Sequence, residues 1–117
     1  VKRLLLIPLL LLSACAPALQ AAQQEQASLT RDGAAVVFQN PGPDAAQSPS
    51  VLIVGSGPIS VTETHCQQRS PERIGCVLPD LEPGQQYRVT VTGVVKTASV
   101  AFYRASAGIR PIYLELP

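Results

Sequence analysis

An all-β sandwich of about seven short strands is the fold that residues 28–117 predict, and three observations carry it. Apolar and polar side chains alternate with period two in several short runs, as half-buried strands require. Clusters of Pro, Gly, Asn and Asp punctuate those runs. No stretch after residue 28 sustains the 3.6-residue apolar period of a helix.

The elements follow in order. Ala34-Ala35-Val36-Val37-Phe38 reads as a strand, closed by the breaker cluster Asn40-Pro41-Gly42-Pro43-Asp44. A polar loop runs to Pro49. Val51-Leu52-Ile53-Val54 is apolar on both faces, as in a central strand. Gly55-Ser56-Gly57-Pro58 turns the chain, and Ile59 and Val61 then alternate with Ser60, Thr62 and Thr64, a strand pattern. Gln67–Gly75 reads as a polar loop. Tyr87, Val89 and Val91 alternate with Arg88, Thr90 and Thr92, and Ala98-Val100-Phe102 and Ile112-Leu114-Leu116 make two further alternating runs.

The amino-terminal segment has a different vocabulary. Lys2 and Arg3 precede Leu4-Leu5-Leu6-Ile7-Pro8-Leu9-Leu10-Leu11-Leu12, the charged and apolar regions of a secretory signal. The apolar run is less than half the ~20 residues a membrane-spanning helix needs. Leu12-Ser13-Ala14-Cys15 resembles the lipobox of bacterial lipoproteins. The resemblance implies removal of residues 1–14, a diacylglyceryl thioether and fatty acylation (palmitate) on Cys15, and a membrane anchor. The competing reading is an ordinary signal peptide cleaved near Ala16 or Ala18. Ala16, rather than Asp, follows the cysteine, which implies the outer membrane in a two-membrane bacterium, with the body in the periplasm or outside the cell. Residues 15–27 are rich in Ala and Gln and read as a tether, a docked short helix being the alternative.

Composition bounds the rest. The sequence has 117 residues, room for one domain, and a body near 90 residues buries only about 60–65% of its unfolded surface, so a covalent staple helps it. Removing Lys2 and Arg3 with the signal takes the formal net charge from +1 to −1. No basic run offers the electrostatic footprint of a nucleic-acid binder.

Leu81-Glu82-Pro83-Gly84-Gln85-Gln86-Tyr87-Arg88-Val89-Thr90-Val91 resembles the E–F corner of fibronectin type III and related immunoglobulin-like domains. With Gly75-Cys76 before it, the segment is also similar to short immunoglobulin-like repeats of bacterial surface proteins. The resemblance covers about residues 75–95 and implies a small immunoglobulin-like β-sandwich. Leu81, Gly84 and Tyr87 would then form a structural tyrosine corner, the Tyr87 hydroxyl bonding to backbone a few residues upstream. The chain lacks the core Trp of those families.

With Cys15 assigned to lipid, Cys66 and Cys76 remain as a pair in an exported body, where an oxidising compartment favours their disulfide. Closing a loop of this size stabilises by about 2.5–3 kcal/mol. The rival is a metal site of His65, Cys66 and Cys76, but the adjacent His-Cys pair lacks zinc-loop spacing and no fourth ligand is near.

Catalytic chemistry finds little support. His65 is the only histidine, Ser56 lies outside a Gly-x-Ser-x-Gly elbow, and Glu63, Glu72, Asp80 and Glu82 are dispersed. The sequence therefore predicts a non-enzymatic, cofactor-free, metal-free envelope lipoprotein that binds a protein or glycan partner. The alternatives are an assembly accessory of an envelope complex and, behind it, a small enzyme. The run Arg110-Pro111-Ile112-Tyr113-Leu114-Glu115-Leu116 is a candidate edge strand for partner pairing, the plainer reading being that it completes the sandwich.

Overall fold

The computed structural model describes residues 27–117. The signal segment, Cys15 and tether residues 15–26 lie outside the described residues. Ala27, assigned to the tether by composition, is buried against the core and belongs to the folded body.

Eight strands form the body: β1 (Ser28–Asp32), β2 (Ala35–Asn40), β3 (Gln47–Gly55), β4 (Cys66–Ser70), β5 (Arg73–Val77), β6 (Gln85–Thr90), β7 (Val95–Tyr103) and β8 (Ile112–Glu115). A 3-10 turn at Ala105–Ala107 separates the last two. They make two antiparallel sheets, β1-β2-β6 and β4-β5-β3-β7-β8. The order matches the A-B-E and C-F-G strands of an immunoglobulin-like sandwich, with β4 and β5 added as a hairpin beside the C position.

The core is the set of inward positions of both sheets. Leu29, Val36, Phe38, Val89 and Val91 come from one side, and Val51, Ile53, Ile74, Cys76, Ala98, Val100 and Phe102 from the other. With no Trp available, Phe38 and Phe102 occupy the centre, their rings 5.1 Å apart and tilted by 50°. Arg31 ties one end of the sandwich, donating to the carbonyls of Val95 (2.6 Å) and Lys96 (3.0 Å).

Three differences from the sequence expectation have physical causes. Gln67–Gly75 is the β4–β5 hairpin rather than a loop, because β4 is an edge strand whose Gln67, Gln68 and Arg69 face water and leave no apolar alternation. Ile59–Thr64 is not a regular strand. Its side chains alternate in burial, yet only Ser60 joins a ladder, exchanging both backbone bonds with Thr92 at 3.0 and 2.8 Å. Alternation reports which side is covered, not whether the backbone has found a partner. The strand β1 carries one deeply buried apolar side chain, Leu29, and so gives almost no periodic signal.

The Pro-Gly turn forms as expected. Gln85 N–H donates to the Glu82 carbonyl at 3.0 Å, with Pro83 and Gly84 between them and Gly84 at φ +86°. That is the type II arrangement, which needs a positive φ at its third residue.

Candidate binding surface

Cys66 and Cys76 form a disulfide, which consumes both thiols proposed for the rival metal site. The pair lies within the five-stranded sheet, between partners directly opposite in the β4–β5 register. The Val77 N–H donates to the His65 carbonyl at 2.9 Å, so positions 65 and 77 are hydrogen-bonded and 66 and 76 are not. Side chains approach most closely at such non-hydrogen-bonded pairs. No group of three His, Cys, Asp or Glu side chains able to hold a metal ion occurs among the described residues.

The tyrosine corner departs from its expected form. Tyr87 lies on β6, which pairs with β2 in the three-stranded sheet, the place of strand E rather than F. Its hydroxyl donates to Glu63 Oε2 at 3.3 Å instead of to upstream backbone. Burial, and then the Glu63 charge and hydrogen bond, hold the Tyr87 phenol above its usual 10.0. The His65 ring packs edge-on against Tyr87, 6.0 Å between centroids. Leu81 is buried, and its backbone exchanges bonds with Ala46 at 2.8 and 2.9 Å. The motif thus builds its turn but not the corner bond, because a local motif specifies the turn while the sheet that receives the strand is set by distant pairing.

A polar cluster that the sequence did not reveal closes one end of the sandwich. Arg104, 0% exposed, donates from Nη1 to the Asp44 carbonyl at 2.6 Å and reaches Asp44 Oδ1 at 3.4 Å. Its guanidinium lies over the Phe102 ring, 5.3 Å from the centroid. The Asp44 carboxylate also accepts from Ser106 N–H (2.8 Å) and Ser106 Oγ (3.0 Å). Desolvation pushes the Asp44 carboxyl upward, but the Ser106 bonds and the Arg104 bond and charge outweigh it, leaving the group below its usual 3.8. Asn40 joins this cluster to the Leu81 segment, donating to Asp44 O at 3.0 Å and Leu81 O at 2.7 Å. Partners some 60 residues apart leave no local signature.

The exposed surface is distinctive on the five-stranded sheet. One cross-strand row on its outer face runs Val77, Ser50, Ala101, Tyr113 over β5, β3, β7 and β8. The next row runs Gly75, Leu52, Ser99, Glu115. Val77 is 64% exposed, Leu52 40%, Tyr103 42% and Tyr113 71%. Small residues floor the space between these apolar side chains. Val51–Val54, read from sequence as buried on both faces, is central in the sheet yet leaves Leu52 in solvent.

This face ends at β8, which is both the completion of the sheet and its edge. Leu116 N–H donates to Ala98 O at 2.9 Å, so the even-numbered residues of β8 bond to β7. By antiparallel alternation the N–H and C=O of Tyr113 and Glu115 point away, toward solvent. Beside them lies a groove of about 510 Å³, lined by Ser106, Ala107 and residues 110–114. The inward Ile112 and Leu114 are half-buried against the core. Comparison with known proteins finds no matching family model, curated protein or solved structure.

Proposed function

We propose that this chain is a non-enzymatic binding module of a bacterial envelope, tethered to a membrane through lipid on Cys15, whose body engages a protein partner along β8. The observation that carries the reading is an edge unpaired among the described residues: outward N–H and C=O groups of Tyr113 and Glu115, next to a groove and an exposed apolar face. An unpaired edge is a template for another extended chain, with main-chain bonds supplying affinity and flanking side chains specificity. A glycan has no peptide backbone to complete such a ladder, which favours protein over sugar. The signal-like residues 1–14 and the lipobox resemblance support the anchor, and residues 15–26 supply the spacer.

The test is capture from native envelope with mass spectrometry, using the full chain and Glu115→Pro. Proline at 115 removes an outward donor without taking a bond from β7. A protein retained by the wild type and lost by the variant supports the reading, and equal retention overturns it. Recovery as a stable stoichiometric complex after mild detergent would make the module an assembly accessory using the same edge. An unmodified Cys15 in the mature protein would overturn the anchor.

A further inference from the structure

We infer that the partner of the β8 edge is a second copy of this chain, paired antiparallel with Tyr113 opposite Tyr113; the inference rests on β8 being the binding edge. The argument begins with charge. The segment is positive at its start, Arg110, and negative at its end, Glu115, and neither side chain has an ion-pair partner among the described residues. Antiparallel self-pairing sets the positive end of each copy against the negative end of the other, twice. Parallel pairing sets like against like.

The register follows from the backbone. Tyr113 and Glu115 carry the outward N–H and C=O groups, so a hydrogen-bonded pair across the new seam must join outward residues. Centring on Tyr113 lets the two Tyr113 residues exchange both bonds. It sets each Glu115 N–H toward the Pro111 carbonyl of the other copy, so the missing Pro111 N–H costs no donor. Glu115 then stands opposite Pro111 of the other copy, with Arg110 next along the chain, just outside the regular strand. Shifting the centre to Leu114 keeps a similar number of bonds but brings the two Glu115 side chains into diagonal proximity, which is repulsive.

The side chains agree with that register. On the inner face Ile112 meets Leu114 of the other copy and Leu114 meets Ile112, so the apolar layer continues across the seam. On the outer face the two Tyr113 rings face each other beside Tyr103, extending the exposed row of Val77, Ser50 and Ala101 into a second copy. The groove beside β8 leaves room for the added strand. Pairing through so short a strand buries less than the roughly 1,200–2,000 Å² of a stable complex. The association is therefore weak in bulk solution and depends on the raised effective concentration of copies held on one membrane.

The test uses two differently tagged full-length copies co-expressed in the native envelope, cross-linked in the intact membrane before detergent extraction and scored for co-recovery. Wild type is expected to co-recover. Arg110→Glu and Glu115→Arg, each present in both copies, are expected to reduce co-recovery about tenfold, the equivalent of about 1.4 kcal/mol over two exposed pairs turned repulsive. The double variant Arg110→Glu/Glu115→Arg restores the attraction and is expected to return to the wild-type level, which a merely misfolded single variant would not do. Absence of wild-type co-recovery, or single variants and Glu115→Pro that co-recover normally, overturns self-pairing. If copies fail to co-recover while a different protein is still lost with Glu115→Pro, self-pairing falls and the edge reading stands. If neither behaviour depends on Glu115→Pro, both fall.

Discussion

Cys66 and Cys76 face each other where β4 and β5 exchange no hydrogen bonds, and their disulfide holds the outermost strand of the five-stranded sheet. Without it, β4 keeps its ladder to β5 and the Gln68 side-chain bond to the Ile59 carbonyl at 3.0 Å, with Gln67, Gln68 and Arg69 exposed. Replacing both cysteines with alanine is expected to lower unfolding free energy by about 2.5–3 kcal/mol, the loop-entropy value for a bridge spanning 10 residues. Urea unfolding of the wild type with and without reductant, beside the double variant, measures it. A loss under 1 kcal/mol would mean that the hairpin holds itself without the bridge.

Asp44 predicts an acid limb. Its carboxyl is held below 3.8 by Ser106 and Arg104, so the folded state keeps the carboxylate charged where the unfolded state takes up a proton. A depressed value contributes stability that is present above the unfolded pKa and lost as pH falls through the folded one. Stability is therefore expected to decline from about pH 4 downward, and Asp44→Asn to be weaker at neutral pH with a shallower acid decline. Thermal unfolding from pH 2 to 7 checks both. Parallel acid limbs would remove Asp44 as the cause.

Tyr87 predicts the opposite limb. Burial and the Glu63 carboxylate raise the phenol above 10.0, so the unfolded chain ionises first. A raised value contributes stability that is full below 10.0 and lost as pH climbs through the folded value. Tyr87→Phe is expected to cost about 1 kcal/mol at neutral pH, from the lost bond to Glu63. It is also expected to flatten the alkaline decline. Denaturant midpoints from pH 8 to 11 decide it, and a variant as alkali-sensitive as the wild type would contradict the assignment.

These residues show what the sequence makes legible. Alternation found β6, β7 and β8, continuous apolar runs found β2 and β3, and chemistry found the Cys66–Cys76 pair. Alternation missed β4, since its exposed residues 67–69 carry no apolar row, and it overread Ile59–Thr64, where covered side chains do not imply a ladder. The Pro83-Gly84 turn was readable because a positive φ at Gly84 is a local requirement, whereas the sheet receiving Tyr87 depends on β2, far away in sequence. The exposed outer face of the five-stranded sheet had a signal that was misassigned. Leu52 made β3 apolar on both sides, which reads as double burial but here marks an exposed outer face. Asp44, Arg104 and Ser106 had none, because their association exists only after the sheets have closed.

Arg104 gives the sharpest test of what that closure needs. The side chain is fully buried, yet its Nε and Nη2 have no hydrogen-bond partner among the described residues. A buried unpaired donor costs about 1–3 kcal/mol, offset in part by the stacking on Phe102. Methionine at 104 keeps the long apolar stem over that ring and removes the unpaired donors. Nothing left behind is stranded: the Asp44 carbonyl still accepts from Asn40, and the Asp44 carboxylate still accepts from Ser106. Arg104→Met is therefore expected to stay within about 1 kcal/mol of wild type or exceed it, in line with apolar replacement of buried ions. Arg104→Ala removes the stem as well and is expected to cost about 3 kcal/mol through the cavity against Phe102. Urea unfolding of both variants separates packing from charge. If methionine proves as damaging as alanine, the guanidinium itself holds this end of the sandwich, and its two unpaired nitrogens have a partner that the fold alone does not supply.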